Sequence, residues 1–388
     1  MTRTTFLAQI KNQFFVTPIV ALLGPRQCGK TTLAKQYAEN LHRQKEAITF
    51  FDLEDTFDLM RLENPRLTLE SLSGLIIIDE IQKRPDLFPI LRVLIDKNRA
   101  KQRYLILGSA SRELIKQSSE TLAGRIGYIE LTPFQTSETN QMERLWLRGG
   151  FPPSYLSVSQ PKSRAWRKAY IKTFLEQDIP ALGFNIPANQ LRRFWTMIAH
   201  YHGQIFNASQ LGRSLNLSHN TIKKYLDLLT GTFMIRTLKP WHENIKKRQV
   251  KSPKIYFRDS GIFHALMRIT EKKELLSTPY LGASWEGFVL EEVIRAHMPE
   301  IDEHDCYFWS TQSGAELDLL IVSSNQKIGY EFKYQDAPKI TKSMRIALED
   351  LQLSKLTIIY PGTKSFQMDE KIFLTNIAEL LQKPKKLI

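Results

Sequence analysis

Eight consecutive residues, Gly24-Pro25-Arg26-Gln27-Cys28-Gly29-Lys30-Thr31, satisfy the spacing G-x-x-x-x-G-K-[ST], and Thr32 follows them. The chemistry of that spacing is phosphate capture. Glycines let the backbone turn so that successive N–H groups point at phosphate oxygens, at the positive end of the following helix. In such a loop Lys30 reaches the β- and γ-phosphates of ATP, and the Thr31 hydroxyl ligates Mg²⁺. The neighbours agree. Ile19 to Leu23 reads as a buried strand before the loop, and Leu33, Tyr37 and Leu41 recur at four-residue spacing after it.

Leu75-Ile76-Ile77-Ile78-Asp79-Glu80 supplies the partner: an apolar strand that ends in two acids. Asp79 would hold a metal-bound water, and Glu80 would orient or deprotonate the attacking water. An adjacent glutamate favours hydrolysis. It also calls for an extra strand between this one and the loop strand, and Ile48 to Leu53 is available for it. The strand Tyr104 to Ser109 ends in small polar residues, so Ser109 or Ser111 is placed to sense the γ-phosphate. Arg125 is a candidate to stabilise transition-state charge. Arg26 and Arg112 compete for that role, and the sequence does not choose among them.

A second chemistry is written near the other end. Leu317-Asp318-Leu319-Leu320 and Tyr330-Glu331-Phe332-Lys333 belong to two strand-like runs. Glu331 and Lys333, two apart, share a strand face. An even-numbered hairpin loop would put Asp318 on that face, opposite Glu331. D…E-x-K binds Mg²⁺ and activates water beside a scissile phosphate. Glu286, in line with Leu290 and Val293 on an upstream helix, would face inward and complete the set. An active nuclease, an inactive relic of that fold and plain surface charge all remain open.

Between these sites lies a concentration of charge. Residues 188–258 hold thirteen lysines and arginines against two acids, a net +11 of the chain's +14, so only +3 remains elsewhere. Charge so placed implies an anionic partner, nucleic acid or an acidic surface. The stretch Asn207 to Leu226 reads as two short helices around a tight turn, with Asn207 and Ser218 as N-caps and Leu211, Leu215, Ile222 and Leu226 buried. Phe233 to Arg236 and Lys254 to Phe257 would pair as a wing. A winged helix of this kind would present Asn220, Lys223 and Lys224 to DNA, with Lys246, Lys247, Arg248 and Lys251 at the wing tip. The same unit also serves as a protein–protein lid.

The elements that must position these residues follow from length and pattern. A chain of 388 residues with 42% apolar and 24% charged residues is globular and holds two or three domains. Short apolar runs alternating with helical periodicity up to about Leu131 predict an α/β parallel sheet. We divide the chain into an ATPase core (1–140), a loop-rich helical bridge (141–187), the winged helix (188–258) and a mixed α/β domain (259–388). No apolar run is long enough to span a bilayer. The two cysteines, Cys28 and Cys306, fit a reducing compartment, so we expect a cytoplasmic protein with no membrane partner.

Several of these motifs resemble one family. Gly24-Pro25-Arg26-Gln27, Asp79-Glu80-Ile81-Gln82-Lys83, Gly149-Gly150-Phe151-Pro152 and Lys254-x-Tyr256-Phe257-x-Asp259-x-Gly261 look like those of bacterial and archaeal AAA-type ATPases with a C-terminal domain of unknown function. The likeness covers nearly the whole chain. It implies a P-loop NTPase core of AAA type, a winged helix and a restriction-endonuclease-like, PD-(D/E)XK C-terminal domain. Leu317 stands where the family is often written with Val. The expectation is an ATPase whose nucleotide state is coupled to DNA, with metal-dependent cleavage open. The alternative is a regulatory switch that recruits protein partners or a second copy, with an inactive nuclease-like domain.

Overall fold

The computed structural model describes all residues except 99–100, 110–117, 119, 243–251, 298–302, 324–325 and 383–388. The chain gathers into two compact units, Met1–Pro133 with Gly231–Phe233, and Phe134–Thr230 with Met234–Ile388.

The first unit is built on five parallel strands, β1 (Ile19–Gly24), β2 (Ile48–Asp52), β3 (Gly74–Asp79), β4 (Gln102–Ser109) and β5 (Ile126–Glu130), in the order β2-β3-β4-β1-β5. Alternate side chains of the strands enter two different cores. Ala21, Ile76 and Ile106 pack beneath Leu87, Phe88 and Leu91. Val20, Ile77 and Leu105 pack against Phe6, Ile10 and Leu33 on the other face. Burial on both faces is why these strands read as unbroken apolar runs. Parallel strands also bring every carboxyl end to one edge of the sheet, where the loop, Asp79 and Ser109 meet.

One strand assignment needs correction. A strand does lie between β1 and β3, but it is β4, not Ile48 to Leu53. The central slot suits β4, which is buried along most of its length. β2 is half-buried at four of its five positions and takes the edge.

Among the described residues the second unit carries nine strands: β6 (Gln204–Ile205), β7 (Ile235–Pro240), β8 (Lys254–Phe257), β9 (Cys306–Ser310), β10 (Glu316–Ser323), β11 (Gln326–Phe332), β12 (Lys355–Tyr360), β13 (Phe366–Asp369) and β14 (Ile372–Asn376). Their order is β13-β14-β12-β11-β10-β9-β7-β8-β6. The expected domain boundary at 258 therefore falls inside one compact unit. The reason is in the ladder: β7 and β8 form the expected antiparallel hairpin, but β7 also pairs with β9 through Lys239 and Tyr307.

The two short helices are present as Ala208–Leu215 and His219–Gly231. Asn207 Oδ1 accepts the Gln210 N–H at 3.0 Å and Ser218 Oγ accepts the Thr221 N–H at 3.1 Å, so both caps form. Asn216, at φ +56°, makes the turn between them. Leu211, Leu215, Ile222 and Leu226 are all buried. Among the described residues no helix is long and apolar enough to cross a membrane.

Candidate functional site

The loop after β1 turns through two left-handed residues, Gln27 at φ +62° and Gly29 at φ +101°, before the helix Lys30–His42 begins. Gly24 is also required, since a Cβ there would stand 2.2 Å from the Leu131 carbonyl oxygen. The Lys30 side chain is buried under this turn and donates to the carbonyls of Gly24 (3.0 Å) and Pro25 (3.1 Å). Cys28 packs in the core below the loop, and burial raises its thiol pKa. It therefore offers a phosphate only its backbone. Arg26 points to the surface, 3.8 Å from Glu54.

Opposite the turn, the Thr31 hydroxyl donates to Asp79 Oδ2 at 2.6 Å, and Asp79 Oδ1 accepts the Glu80 N–H at 2.9 Å. Burial raises the Asp79 carboxyl, against the Thr31 hydrogen bond; burial also raises Glu80, against the positive charge of Lys30. Glu80 itself sits at φ +55°, a strained conformation for this side chain. Sequence reasoning missed the residue that holds it. Gln82 Nε2 hydrogen-bonds the Glu80 carboxylate and, at 2.9 Å, Ser109 Oγ. The short 3-10 turn Ile81–Lys83 makes this reach available, so the signal lay in the motif Asp79-Glu80-Ile81-Gln82. The Thr31 hydroxyl beside the Asp79 carboxylate is a donor set that fits Mg²⁺ accompanying a triphosphate.

Arg125 is not part of this arrangement. It precedes β5 at the amino-terminal edge of the sheet, where Ile19 pairs with Ile126. Gly24 lies at the opposite end of β1, about 17 Å away at 3.3 Å per residue. The Arg125 guanidinium is instead paired with Asp96 at 2.6 and 2.9 Å. As a residue acting on its own chain's loop, Arg125 is withdrawn. Ser111 and Arg112 lie outside the described residues.

In the second unit the hairpin register is the favourable one. Ser323 pairs with Gln326, leaving two residues between them, and Leu319 pairs with Tyr330, so the next step of the ladder sets Asp318 opposite Glu331. Lys333 Nζ lies 2.6 Å from Glu331 Oε2 and 3.5 Å from Asp318 Oδ2, which also accepts the Phe332 N–H at 3.0 Å. Glu286 arrives from the helix Leu281–His297 and accepts a 2.6 Å hydrogen bond from the Tyr256 hydroxyl. The four residues read from sequence thus converge.

They do not form the expected metal centre. Among the described residues no group of three or more acidic, histidine or cysteine side chains is arranged to hold a metal ion. Lys254 enters the cluster instead: its ammonium lies 3.4 Å from Glu286 Oε1 and 3.9 Å from Asp318 Oδ1, and is paired with Glu316. The nearby carboxylates hold Lys254 protonated despite its burial. Burial pushes Glu286 up to about 7 and, with Asp318 adding to it, Glu331 up to about 8. Metal ligation by Glu286, Asp318 and Glu331 does not fit this geometry.

The AAA domain family matches residues 16–140, ending close to where the first compact unit ends. Two domains of unknown function follow, DUF8612 over 139–273 and DUF4143 over 281–380. Uncharacterized protein Rv2008c of Mycobacterium tuberculosis and uncharacterized protein Mb2031c of Mycobacterium bovis are each 46% identical to this chain over 376 residues, 96% of this chain and 83% of theirs. The chain belongs to this family of AAA-domain proteins with a DUF4143 C-terminal domain. Among solved structures, the Walker-type ATPase paby2304 of Pyrococcus abyssi aligns over 68% of this chain and 95% of its own, at 14% identity and a TM-score of 0.46.

Within this AAA–DUF4143 chain, the charge of 188–258 is distributed differently from the expectation. Arg236 and Arg258 are buried and paired with Glu291, and Lys254 is buried in the carboxylate cluster. The acids that offset them lie beyond residue 258, so the count within the stretch overstates its surface charge. Asn220, Lys223 and Lys224 are exposed on the second helix. Lys246, Lys247, Arg248 and Lys251 lie outside the described residues.

Proposed function

We propose that the first unit binds ATP with Mg²⁺ and hydrolyses it. The observation that carries this reading is the 2.6 Å contact between the Thr31 hydroxyl and Asp79, with Lys30 and Glu80 on either side of it. Backbone amides of residues 24–32 would hold the phosphates, and Lys30 would exchange its two carbonyl partners for phosphate oxygens. Mg²⁺, held by Thr31 and through water by Asp79, would neutralise charge on the β- and γ-phosphates. Glu80 would take a proton from water as its oxygen bonds the γ-phosphorus and the bond to the bridging oxygen breaks, giving ADP and phosphate. Ser109, tied to Glu80 through Gln82, would register whether the γ-phosphate is present.

Lys30→Ala tests the site. Loss of a buried charged hydrogen-bond donor should weaken ATP binding about 10–100-fold, at about 1.5–3 kcal/mol for bonds to charged groups. Calorimetric titration measures it, and a melting curve shows that the fold is kept. Undiminished affinity would reject the assignment.

We further propose that the second unit is the output of that nucleotide cycle. Its two capped helices and antiparallel hairpin, with β6 added to β8, support a winged helix, and exposed Asn220, Lys223 and Lys224 support DNA as its partner. The helix Leu281–His297, β9 to β11, the helix Lys342–Asp350 and β12 support a nuclease-like fold. Lys223→Ala/Lys224→Ala should weaken DNA binding of the full chain at every sequence and lower the salt slope by about 2. An unchanged slope would favour the regulatory switch that recruits a protein. Burial of Arg236, Lys254 and Arg258 already speaks for that second reading, because it leaves less charge for a polyanion.

A further inference from the structure

The D…E-x-K arrangement implies a divalent cation, and the side chains around it disagree. The disagreement has a single source, the first residue of β8. Lys254 is 3% exposed, yet its chain emerges beside the sheet ladder and its ammonium ends among oxygens of three acids from two elements: Glu286 from the helix Leu281–His297, and Glu316 and Asp318 from β10. The opposite oxygen of Asp318 is taken by Lys333 and by the Phe332 N–H. Glu286 Oε1, which faces Lys254, also accepts from Tyr256. Both oxygens of Asp318 and Glu286 Oε1 therefore already face donors.

We propose that the Lys254 ammonium stands in place of a divalent cation between Glu286, Glu316 and Asp318, so that this cluster is closed to metal while Lys254 is present. Two cations cannot share the position. A divalent ion needs several oxygens at about 2.0–2.6 Å, and an ammonium among the same oxygens would meet it at close range with like charge. Deleting the amine exposes the complementary property. Glu286 and Glu316 would lose their ammonium partner and Asp318 would keep only Lys333, and carboxyl groups so crowded either take up protons or capture a cation. The inference concerns the second unit alone, so loss of ATP binding or turnover in a loop variant leaves it standing.

Mn²⁺ titration of the nucleotide-free full chain, followed by the paramagnetic signal of the free ion, tests this. Wild type should show no binding that Asp318→Asn removes. Lys254→Met should gain a site that binds Mn²⁺ at least about tenfold more tightly than wild type does. Lys254→Met/Asp318→Asn should lose it again. Wild-type binding that depends on Asp318, or a folded Lys254→Met that gains no site, would overturn the proposal. Should Lys254→Met fail to fold in chelator, Lys254→Gln, one bond shorter than lysine, keeps an uncharged amide donor. Mn²⁺ must then raise its melting temperature and leave that of wild type unmoved; equal shifts, or none, would overturn the proposal equally.

Discussion

Replacing Glu80 by glutamine should leave ATP bound and slow its hydrolysis about 10²–10⁴-fold, the contribution of a positioned proton acceptor. The expectation rests on where the carboxylate is held. Glu80 follows Asp79, whose other oxygen is bonded to Thr31, so it cannot drift far from the phosphate loop. Its left-handed backbone conformation, unusual for a glutamate, points to a residue constrained for its task. Glutamine keeps the shape and can still meet Gln82, so the fold should survive, and only the capacity to accept a proton is lost. Because burial raises Glu80 above its ordinary value, the wild-type rate should fall on acidification at a pH above the usual glutamate range. The variant should lack that limb. Steady-state turnover beside a nucleotide titration separates the two effects, and wild-type turnover in Glu80→Gln would remove Glu80 from the reaction.

What was legible in the sequence was local chemistry with fixed spacing. The phosphate loop needs its glycines and lysine within eight residues, and Leu75 to Glu80 ends its strand in acids; neither pattern depends on the rest of the chain. The hairpin register was legible only in part: period-two alternation left Asp318 two faces, and the pairing of Ser323 with Gln326 chooses between an even and an odd loop. Strand order was not. β2 and β4 are both short apolar runs, and which one lies beside β1 depends on burial over the whole sheet. Arg125 precedes β5, and in a parallel sheet that sets it at the amino-terminal edge, away from the loop at the carboxyl end of β1. The boundary at 258 lies inside one compact unit because the edge of β7 goes on to pair with β9, a contact that a hairpin read by itself does not announce.

Glu291→Ala should lower the stability of the second unit by about 3–5 kcal/mol, the cost of removing one partner from a buried ion pair. Arg236, Arg258 and Arg295 converge on that one carboxylate, and all four residues are buried or nearly so. Burial alone would raise Glu291; the three guanidinium groups outweigh it and hold the carboxyl at about 2. The sign of the pH effect follows. Folded Glu291 keeps its charge below the pH at which the unfolded chain takes up a proton, near 4.5, so its stabilisation is full above that value. It is lost as pH falls from there towards 2. A melting series on wild type, Glu291→Ala and Glu291→Gln measures both: a drop of roughly 6–20 °C near neutrality in the alanine variant, at about 2–4 °C per kcal/mol for a unit of this size, and a flatter acid limb in both variants. The experiment also bears on function, because Arg236 and Arg258 belong to the basic stretch that suggested DNA. An unshifted melting temperature would mean that contacts other than those with Glu291 hold these buried arginines. A large drop would assign them to the core, and leave Arg193, Arg213, Asn220, Lys223, Lys224 and Lys239 as exposed residues of the stretch on which a DNA contact would have to rest.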